Sequence, residues 1–198
     1  MLTAKVVTPD GQPVVGAKVA LMQEGVTTMS VQLNRGHLRS NNSRNPLMTT
    51  DAAGQFTVTS LVEAGTFVVA NGIGFASASW SEVTASDTLI LQPLGRIEGV
   101  LMQRDDPSAG QEIKMISSPN RGIVMDFEST PLTTVAAGRF GVENVSAGPV
   151  PLSCLIKTGS TARASSQATD AVGTPGHTAK VVIGGRGAAR SGPGRFGP

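Results

Sequence analysis

Apolar and polar residues alternate in short runs along most of the chain, a pattern typical of strands with one buried face. In the run AKVAL, residues Ala17, Val19 and Leu21 fall on one face and Lys18 on the other. Residues 66–70 (TFVVA) form instead a near-continuous apolar run, which is typical of a core strand. Sustained apolar spacing at three, four and seven residues is absent from the sequence, so the pattern predicts an all-β chain with little helix.

One ten-residue stretch occurs twice. Residues 49–58 (TTDAAGQFTV) return as residues 133–142 (TTVAAGRFGV), with Asp51 replaced by Val135. In each copy a threonine pair leads into a tight turn whose glycine supplies a positive φ, and a strand follows. This internal repeat predicts two domains, at residues 1–92 and 93–184, each large enough for a modest core of its own. Residues 185–198 are expected to begin a truncated third unit or to form a disordered Gly/Arg/Pro tail.

A long polar stretch, residues 23–46, interrupts the first unit. Its weak periodicity predicts one or two short edge strands and a mobile loop. The stretch carries Arg35, His37 and Arg39, with Arg44 beyond them. These residues are the candidate ligand-binding loop for an anionic partner, and a solvated loop is the simpler alternative.

Charge and composition narrow the classes of partner. The net charge is +2, and the segment 184–198 contributes three arginines and no acid. The rest of the chain is therefore close to neutral, which predicts no nucleic-acid partner. No apolar run approaches the length of a membrane-spanning helix, and the N-terminal residues do not have the pattern of a signal peptide. The chain is expected either to stay in the cytoplasm or to be a segment of a longer exported protein.

The first unit resembles a known family at several motifs. Residues 9–19 (PDGQPVVGAKV), the turn at 50–56 (TDAAGQF) and the glycine-led strand after Gly65 are similar to the carboxypeptidase regulatory-like domain. That family is a transthyretin-like (prealbumin-like, Greek-key) β-sandwich, related to the B-type repeats of collagen adhesins. The second unit departs from the pattern at Val135.

The resemblance implies a fold and a type of role. It implies two tandem β-sandwiches that act as a non-catalytic structural or interaction module, a spacer or docking unit, of a larger bacterial protein. It favours an exported or surface protein whose partners are other proteins or neighbouring domains. It implies no cofactor.

The residues that chemistry would need are few. His37 and His177 are the two histidines, and neither lies in a nucleophile-elbow or zinc-ligand spacing. We therefore predict no enzyme, no catalytic residue and no metal site, and we assign Asp51, Asp105 and Asp106 to turns. The single cysteine, Cys154, excludes an intrachain disulfide and is expected to be a small buried side chain.

Two other hypotheses come from related folds. Adhesin repeats can carry intramolecular isopeptide bonds, for which Lys5 or Lys18 would supply the amine, although no matching Asn lies near residues 88–91. The alternative function is a carbohydrate- or cell-surface-binding accessory domain. A sugar platform would depend on Trp80, the single tryptophan of a chain without tyrosine. A position in the core or at a sheet edge is the competing interpretation of that residue.

Overall fold

The computed structural model shows a chain that folds almost entirely into strands. It describes residues 1–23, 30–40, 47–59, 63–115, 118–120, 123–127, 132–157 and 163–185. In this part of the chain the strands up to residue 93 are β1 (Leu2–Val7), β2 (Lys18–Met22), β3 (Ser30–Asn34), β4 (His37–Ser40), β5 (Met48–Thr49), β6 (Gln55–Val58), β7 (Thr66–Ala70), β8 (Gly74–Ser79), β9 (Thr88–Ile90) and β10 (Gln92–Pro93). The helix α1 (Trp80–Ser86) separates β8 from β9.

The strands that follow build the second half of the chain. They are β11 (Gly95–Gln103), β12 (Asp106–Pro107), β13 (Glu112–Met115), β14 (Ser118–Asn120), β15 (Ile123–Phe127), β16 (Leu132–Thr133), β17 (Arg139–Val145), β18 (Gly148–Lys157), β19 (Arg163–Gly173) and β20 (Thr178–Gly184). A 3₁₀ turn at Ala136–Gly138 precedes β17. The predicted all-β fold class is confirmed.

In the first half, two sheets face each other across a core. One has the order β6-β1-β9, with β1 antiparallel to β6 and parallel to β9, and the other has the order β10-β8-β7-β2-β5. Val6 and Phe56 from the first sheet pack with Val19 and Phe67 from the second, and all four are at most 3% exposed. Burial of these alternating apolar faces is what holds the two sheets together.

Residues 95–184 have the same connectivity. Strand β11 pairs antiparallel with β17 and parallel with β20, and the facing sheet has the order β16-β13-β18-β19. The core between them contains Ile97, Phe140 and Leu152. Cys154 lies in this core at 1% exposure, as a small buried side chain.

Thr50 ties the turn before β6 to the segment before β2. Its hydroxyl accepts a hydrogen bond from the Ala17 N–H (2.9 Å) and donates one to the Val14 carbonyl (2.6 Å). Its backbone N–H donates to the Ala17 carbonyl, and its carbonyl accepts from the Gly16 N–H, both at 3.0 Å. Thr50 is 3% exposed, so these bonds satisfy polar groups that are shielded from water.

Thr134 repeats this arrangement in the second half. Its hydroxyl accepts from the Gln111 N–H and donates to the Ser108 carbonyl, both at 2.9 Å. Its backbone pairs with Gln111 and Gly110 at 2.8 and 2.9 Å. We call each of these four-bond arrangements a threonine lock.

Two features of the backbone require glycine at the turn position next to each threonine lock. Gly54 has a φ of +71°, and a Cβ there would lie 2.7 Å from the Val6 carbonyl oxygen. Gly138 has a φ of +64°, and its Cβ would lie 2.5 Å from the Leu101 carbonyl oxygen. Positive φ and close approach to the neighbouring strand both exclude a side chain.

The two turns differ at the position of Asp51 and in the backbone. Asp51 Oδ1 accepts hydrogen bonds from the N–H groups of Ala53 (2.9 Å) and Gln55 (2.8 Å). Val135 stands in its place in the second turn, and Ala137 there has a φ of +56°. The second turn therefore lacks the carboxylate bonds and holds a non-glycine residue in the left-handed region.

A third layer covers the outer face of β7 and its neighbours. The hairpin β3–β4 places Val31, Leu33 and Leu38 against the outward side of β7 and β8, where Val68 and Phe75 are buried. Both faces of β7 are thus covered, which explains why its sequence is continuously apolar.

The hairpin also pairs with strands of the second half. A four-stranded sheet has the order β14-β15-β3-β4, in which β15 runs parallel to β3 from the pair Val124–Ser30 to the pair Phe127–Leu33. Of the one or two edge strands expected in residues 23–46, β4 lies at the edge of this sheet among the described strands, whereas β3 lies between β15 and β4. The expected mobile loop falls partly on residues 24–29 and 41–46, outside the described residues.

The helix α1 is the main departure from the predicted pattern. Strand β8 ends at Ser79, whose hydroxyl caps the helix by accepting from the Glu82 N–H. Trp80 begins the helix at 9% exposure and stacks on Phe67, with ring centroids 5.5 Å apart. Within the described residues, no helix has the length and apolar character that crossing a membrane requires. The predicted tail at 185–198 lies, beyond Gly185, outside the described residues.

Candidate functional site

The predicted ligand-binding residues lie on the hairpin β3–β4. Arg35 is at its turn with a φ of +48°, and His37 and Arg39 lie two residues apart on β4. Leu38 between them is 4% exposed and points into the protein, so His37 and Arg39 share the opposite, exposed face. The structure therefore brings the three residues to one end of the hairpin, and their role in ligand binding stays a prediction.

The hairpin turn is anchored to the turn after β7. The Gly72 N–H donates to the Gly36 carbonyl at 2.8 Å. Gly36 has a φ of +78°, and a Cβ there would lie 2.6 Å from the Gly72 carbonyl oxygen. The imidazole of His37 packs on Gly72, since its Nε2 is 2.6 Å from where a Cβ of Gly72 would be. This surface thus offers positive charge on a fixed hairpin rather than an enclosed pocket.

The other candidate chemistry is dispersed. His177 is exposed, and its Nδ1 lies 2.6 Å from the Pro175 carbonyl oxygen. In the described part of the chain, no three His, Cys, Asp or Glu side chains gather closely enough to hold a metal ion. Lys5 and Lys18 are exposed, and the Lys18 Nζ donates to Thr49 Oγ1 at 2.8 Å. The burial of Trp80 against Phe67 leaves its ring faces unavailable as a sugar platform.

A groove that sequence reasoning did not find lies on the outer face of the sheet β17-β11-β20. Its volume is about 820 Å³, which is within the range of ligand pockets although the groove is open to solvent. Val135 and Val182 line it and are 63% and 58% exposed, and the half-buried Val100 lies between β17 and β20 in the sheet. The replacement of Asp51 by Val135 was the one sequence signal for this groove. The sequence does not show that Val100 and Val182 lie side by side, because that depends on strand register.

Charged side chains border the groove. The Arg96 guanidinium bridges two carboxylates, with Nη2 at 3.2 Å from Glu98 Oε1 and Nε at 3.1 Å from Glu143 Oε1. Arg139 and Lys180 are exposed and make no side-chain hydrogen bond or ion pair with any residue that the structure describes. The groove therefore combines exposed valines with two cations that are not neutralised within this part of the protein.

Comparisons with known proteins give similarity of structure only. No family model matches the chain, and no curated protein sequence matches it. The chain is similar to the minor pilin GBS52 of the Gram-positive pathogen Streptococcus agalactiae, with a TM-score of 0.45 and 15% identity over 98% of this chain and 100% of that one. It is also similar to a streptococcal ancillary pilin, with a TM-score of 0.38 and 16% identity over 92% of this chain and 61% of that one.

A third similarity is to the major pilin subunit of Bacillus cereus, with a TM-score of 0.33 and 12% identity over 85% of this chain and 58% of that one. Similarity at this level does not assign the chain to a family. Membership of the carboxypeptidase regulatory-like family stays a prediction.

Proposed function

We propose that the chain is a non-catalytic structural and interaction module, made of two β-sandwich domains at residues 1–92 and 93–184 that are held in one fixed orientation. In this proposal the module spaces and docks other domains or proteins. Its place is in a larger bacterial protein at the cell surface or exported, as the motif resemblance of the first unit implies. The segment 185–198 leads into a further unit or a tail.

The observation that carries the proposal is the sheet β14-β15-β3-β4. It takes two strands from each half, and β15 pairs with β3 over four residues. Side chains reinforce the pairing, because Leu94 and Met115 pack against the apolar cluster under the hairpin. Two domains joined by a short linker alone would be expected to move relative to each other. A shared sheet and a shared apolar cluster oppose that motion, which is what a spacer needs.

The buried polar groups also support a structural role. The hydroxyls of Thr50 and Thr134 each accept one backbone bond and donate another, so both bonds of each hydroxyl hold a turn. The carbohydrate-binding alternative depended on an exposed Trp80. The stacking of that ring on Phe67 inside the first core gives it no support.

A distance measurement between the two halves tests the proposal. Nitroxide labels would be attached at Val15→Cys and Val172→Cys, two positions that are 61% and 62% exposed. The native Cys154 is 1% exposed and is expected to stay unlabelled, which the single-cysteine parent checks. Pulsed electron spin resonance should give one narrow distance distribution.

The variant Leu33→Asp supplies the comparison for this measurement. It places a carboxylate in the apolar cluster under the hairpin and should broaden the distance distribution. If the doubly labelled protein without Leu33→Asp already gave a broad distribution, or one with two separate maxima, the fixed orientation would be refuted.

A further inference from the structure

The outer face of the sheet β17-β11-β20 differs in kind from the equivalent face in the first half. In the first sheet, Lys5 pairs with Gln55 on one side and with Thr88 on the other. In the second sheet, Val100 occupies the position of Lys5 and pairs with Arg139 and Val182.

The preceding turns extend the correspondence. The Asp51 N–H donates to the Gln55 carbonyl at 2.9 Å, and the Val135 N–H donates to the Arg139 carbonyl at 2.8 Å. Three polar positions of the first face are therefore valines in the second. These valines, Val100, Val135 and Val182, are called here the valine trio. The same fold is built with polar residues at all three positions, so the fold does not require the valines.

The valine trio lies beside positive charge. Arg139 and Lys180 line the same groove, and Arg139 takes the place of the neutral Gln55. Arg96 is held by Glu98 and Glu143, which leaves Arg139 and Lys180 as the cations in the groove that have no ion partner in the described structure. A complementary ligand would carry both apolar side chains and negative charge.

The backbone around the groove favours an extended polypeptide over a small anion. A ligand that contacts Val135, Val100 and Val182 has to cross β17, β11 and β20, and neighbouring strands lie about 4.8 Å apart, so it must be longer than a small anion. The aromatic residue of the groove, Phe140, is 6% exposed and offers no ring face on which a sugar or a base would stack. At Gly141 the Arg96 guanidinium covers the floor, since its Nη2 lies 3.4 Å from where a Cβ would be.

We infer that this face docks an extended acidic segment of a partner protein, with apolar side chains on the valine trio and carboxylates near Arg139 and Lys180. The inference rests on the proposed role of the chain as a docking module, and it identifies the class of partner. A fixed orientation of the two halves without peptide binding would leave the proposed function standing and remove this inference alone.

The test uses the full chain labelled with ¹⁵N and two synthetic peptides, EEVTVEE and its charge-reversed control KKVTVKK. In a titration to millimolar peptide, the acidic peptide should shift amide resonances of β11, β17 and β20 around the groove. The basic peptide should shift none of them. No shifts with the acidic peptide, equal shifts with both, or shifts confined to other surfaces would overturn the inference.

Variants that carry the residues of the first face locate the site. Val135→Asp with Arg139→Gln should weaken binding at least about tenfold, since it adds one negative charge, removes one positive charge and removes an apolar contact. The matched control is Gln55→Arg on the first face, which should leave binding unchanged. All these positions are at the surface, and unshifted core resonances would show that the variants fold.

A second copy of the chain is the competing occupant of the groove. Sedimentation equilibrium should show a monomer, with or without Val182→Thr. Self-association that Val182→Thr abolishes would contradict the inference, because the groove would then be an interface between copies.

Discussion

In each threonine lock, one buried hydroxyl makes two of the four hydrogen bonds that hold the turn. Thr50→Val keeps the shape of the side chain but leaves the Ala17 N–H and the Val14 carbonyl without their partner in a buried site. An unsatisfied buried group costs about 1–3 kcal/mol. Since two groups lose their partner, we expect the free energy of unfolding, measured with urea, to fall by at least that amount, while Thr50→Ser, which retains the hydroxyl, should lose less. A loss in Thr50→Val that is no larger than the loss in Thr50→Ser would show that the hydroxyl bonds are not the main contribution of this side chain.

The replacement of Asp51 by Val135 gives a prediction of the opposite sign. Val135→Asp should restore the two carboxylate hydrogen bonds that Asp51 makes in the first turn, to the N–H groups of Ala137 and Arg139. It also removes a valine that is 63% exposed. Each net hydrogen bond stabilises by about 0.5–1.5 kcal/mol, so the urea midpoint should rise. Val135→Asn should give a similar gain without the charge, and a lower midpoint in both variants would contradict the prediction.

The sequence predicts the locks only in part, because their partners lie far apart along the chain. The repeated TTxAAG stretch predicts a turn with a glycine at positive φ, and the structure has both turns and their glycines at the predicted positions. The hydroxyl of Thr50, however, bonds to residues 33 and 36 positions away, and only the folded sheets bring them together. The same limit explains the groove, since the valine trio comes from three separate segments.

Among the elements, α1 is one that the alternating apolar pattern does not predict, although a local helix-capping signal is present in the sequence. Ser79 and Glu82 form a capping box, which is readable as a serine followed three residues later by a glutamate. The helix has seven residues, too few for an apolar period to stand out. Trp80 and Val83, three apart on its buried side, complete the first core. The prediction of little helix thus holds, and Trp80 lies in the first core, which is one of the two positions that the competing interpretation gave it.

The β3–β4 hairpin depends on the close contact of its turn with the turn after β7. Gly36→Ala should destabilise the protein through two effects, a side chain at φ +78° and a clash of its Cβ with the Gly72 carbonyl oxygen. Gly11→Ala is the matched control, because Gly11 has a similar φ of +82° with nothing within 4 Å of the added Cβ.

The left-handed conformation costs a non-glycine residue about 1–2 kcal/mol, so both variants should lose that amount of unfolding free energy. Gly36→Ala should lose more, and hydrogen exchange of β3 and β4 amides should accelerate in that variant alone. Equal effects of the two substitutions would indicate that the hairpin turn is not held against Gly72.

At the scale of the whole molecule, the apolar cluster under the β3–β4 hairpin determines whether the two halves unfold together. This hairpin cluster includes Val31, Leu33, Leu38, Val68 and Phe75. Strands β3 and β15 join the halves by backbone pairing, and Met115 contacts both the hairpin cluster and the second core. Sequence periodicity cannot show this, because it reports which face of a strand is apolar and not which element covers it. Cooperative unfolding is expected when the apolar contacts of two regions are continuous.

Scanning calorimetry should therefore record a single transition in which the calorimetric and van't Hoff enthalpies agree. Leu33→Asp places a carboxylate where the side chain is 3% exposed, and it should separate the unfolding of the two halves into two transitions. Ile73→Asp, at 76% exposure on the neighbouring turn, makes the same chemical change outside the cluster and should leave one transition. Two transitions in the unmodified chain would mean that the shared sheet does not couple the halves, and the spacer would then bend at residues 92–95.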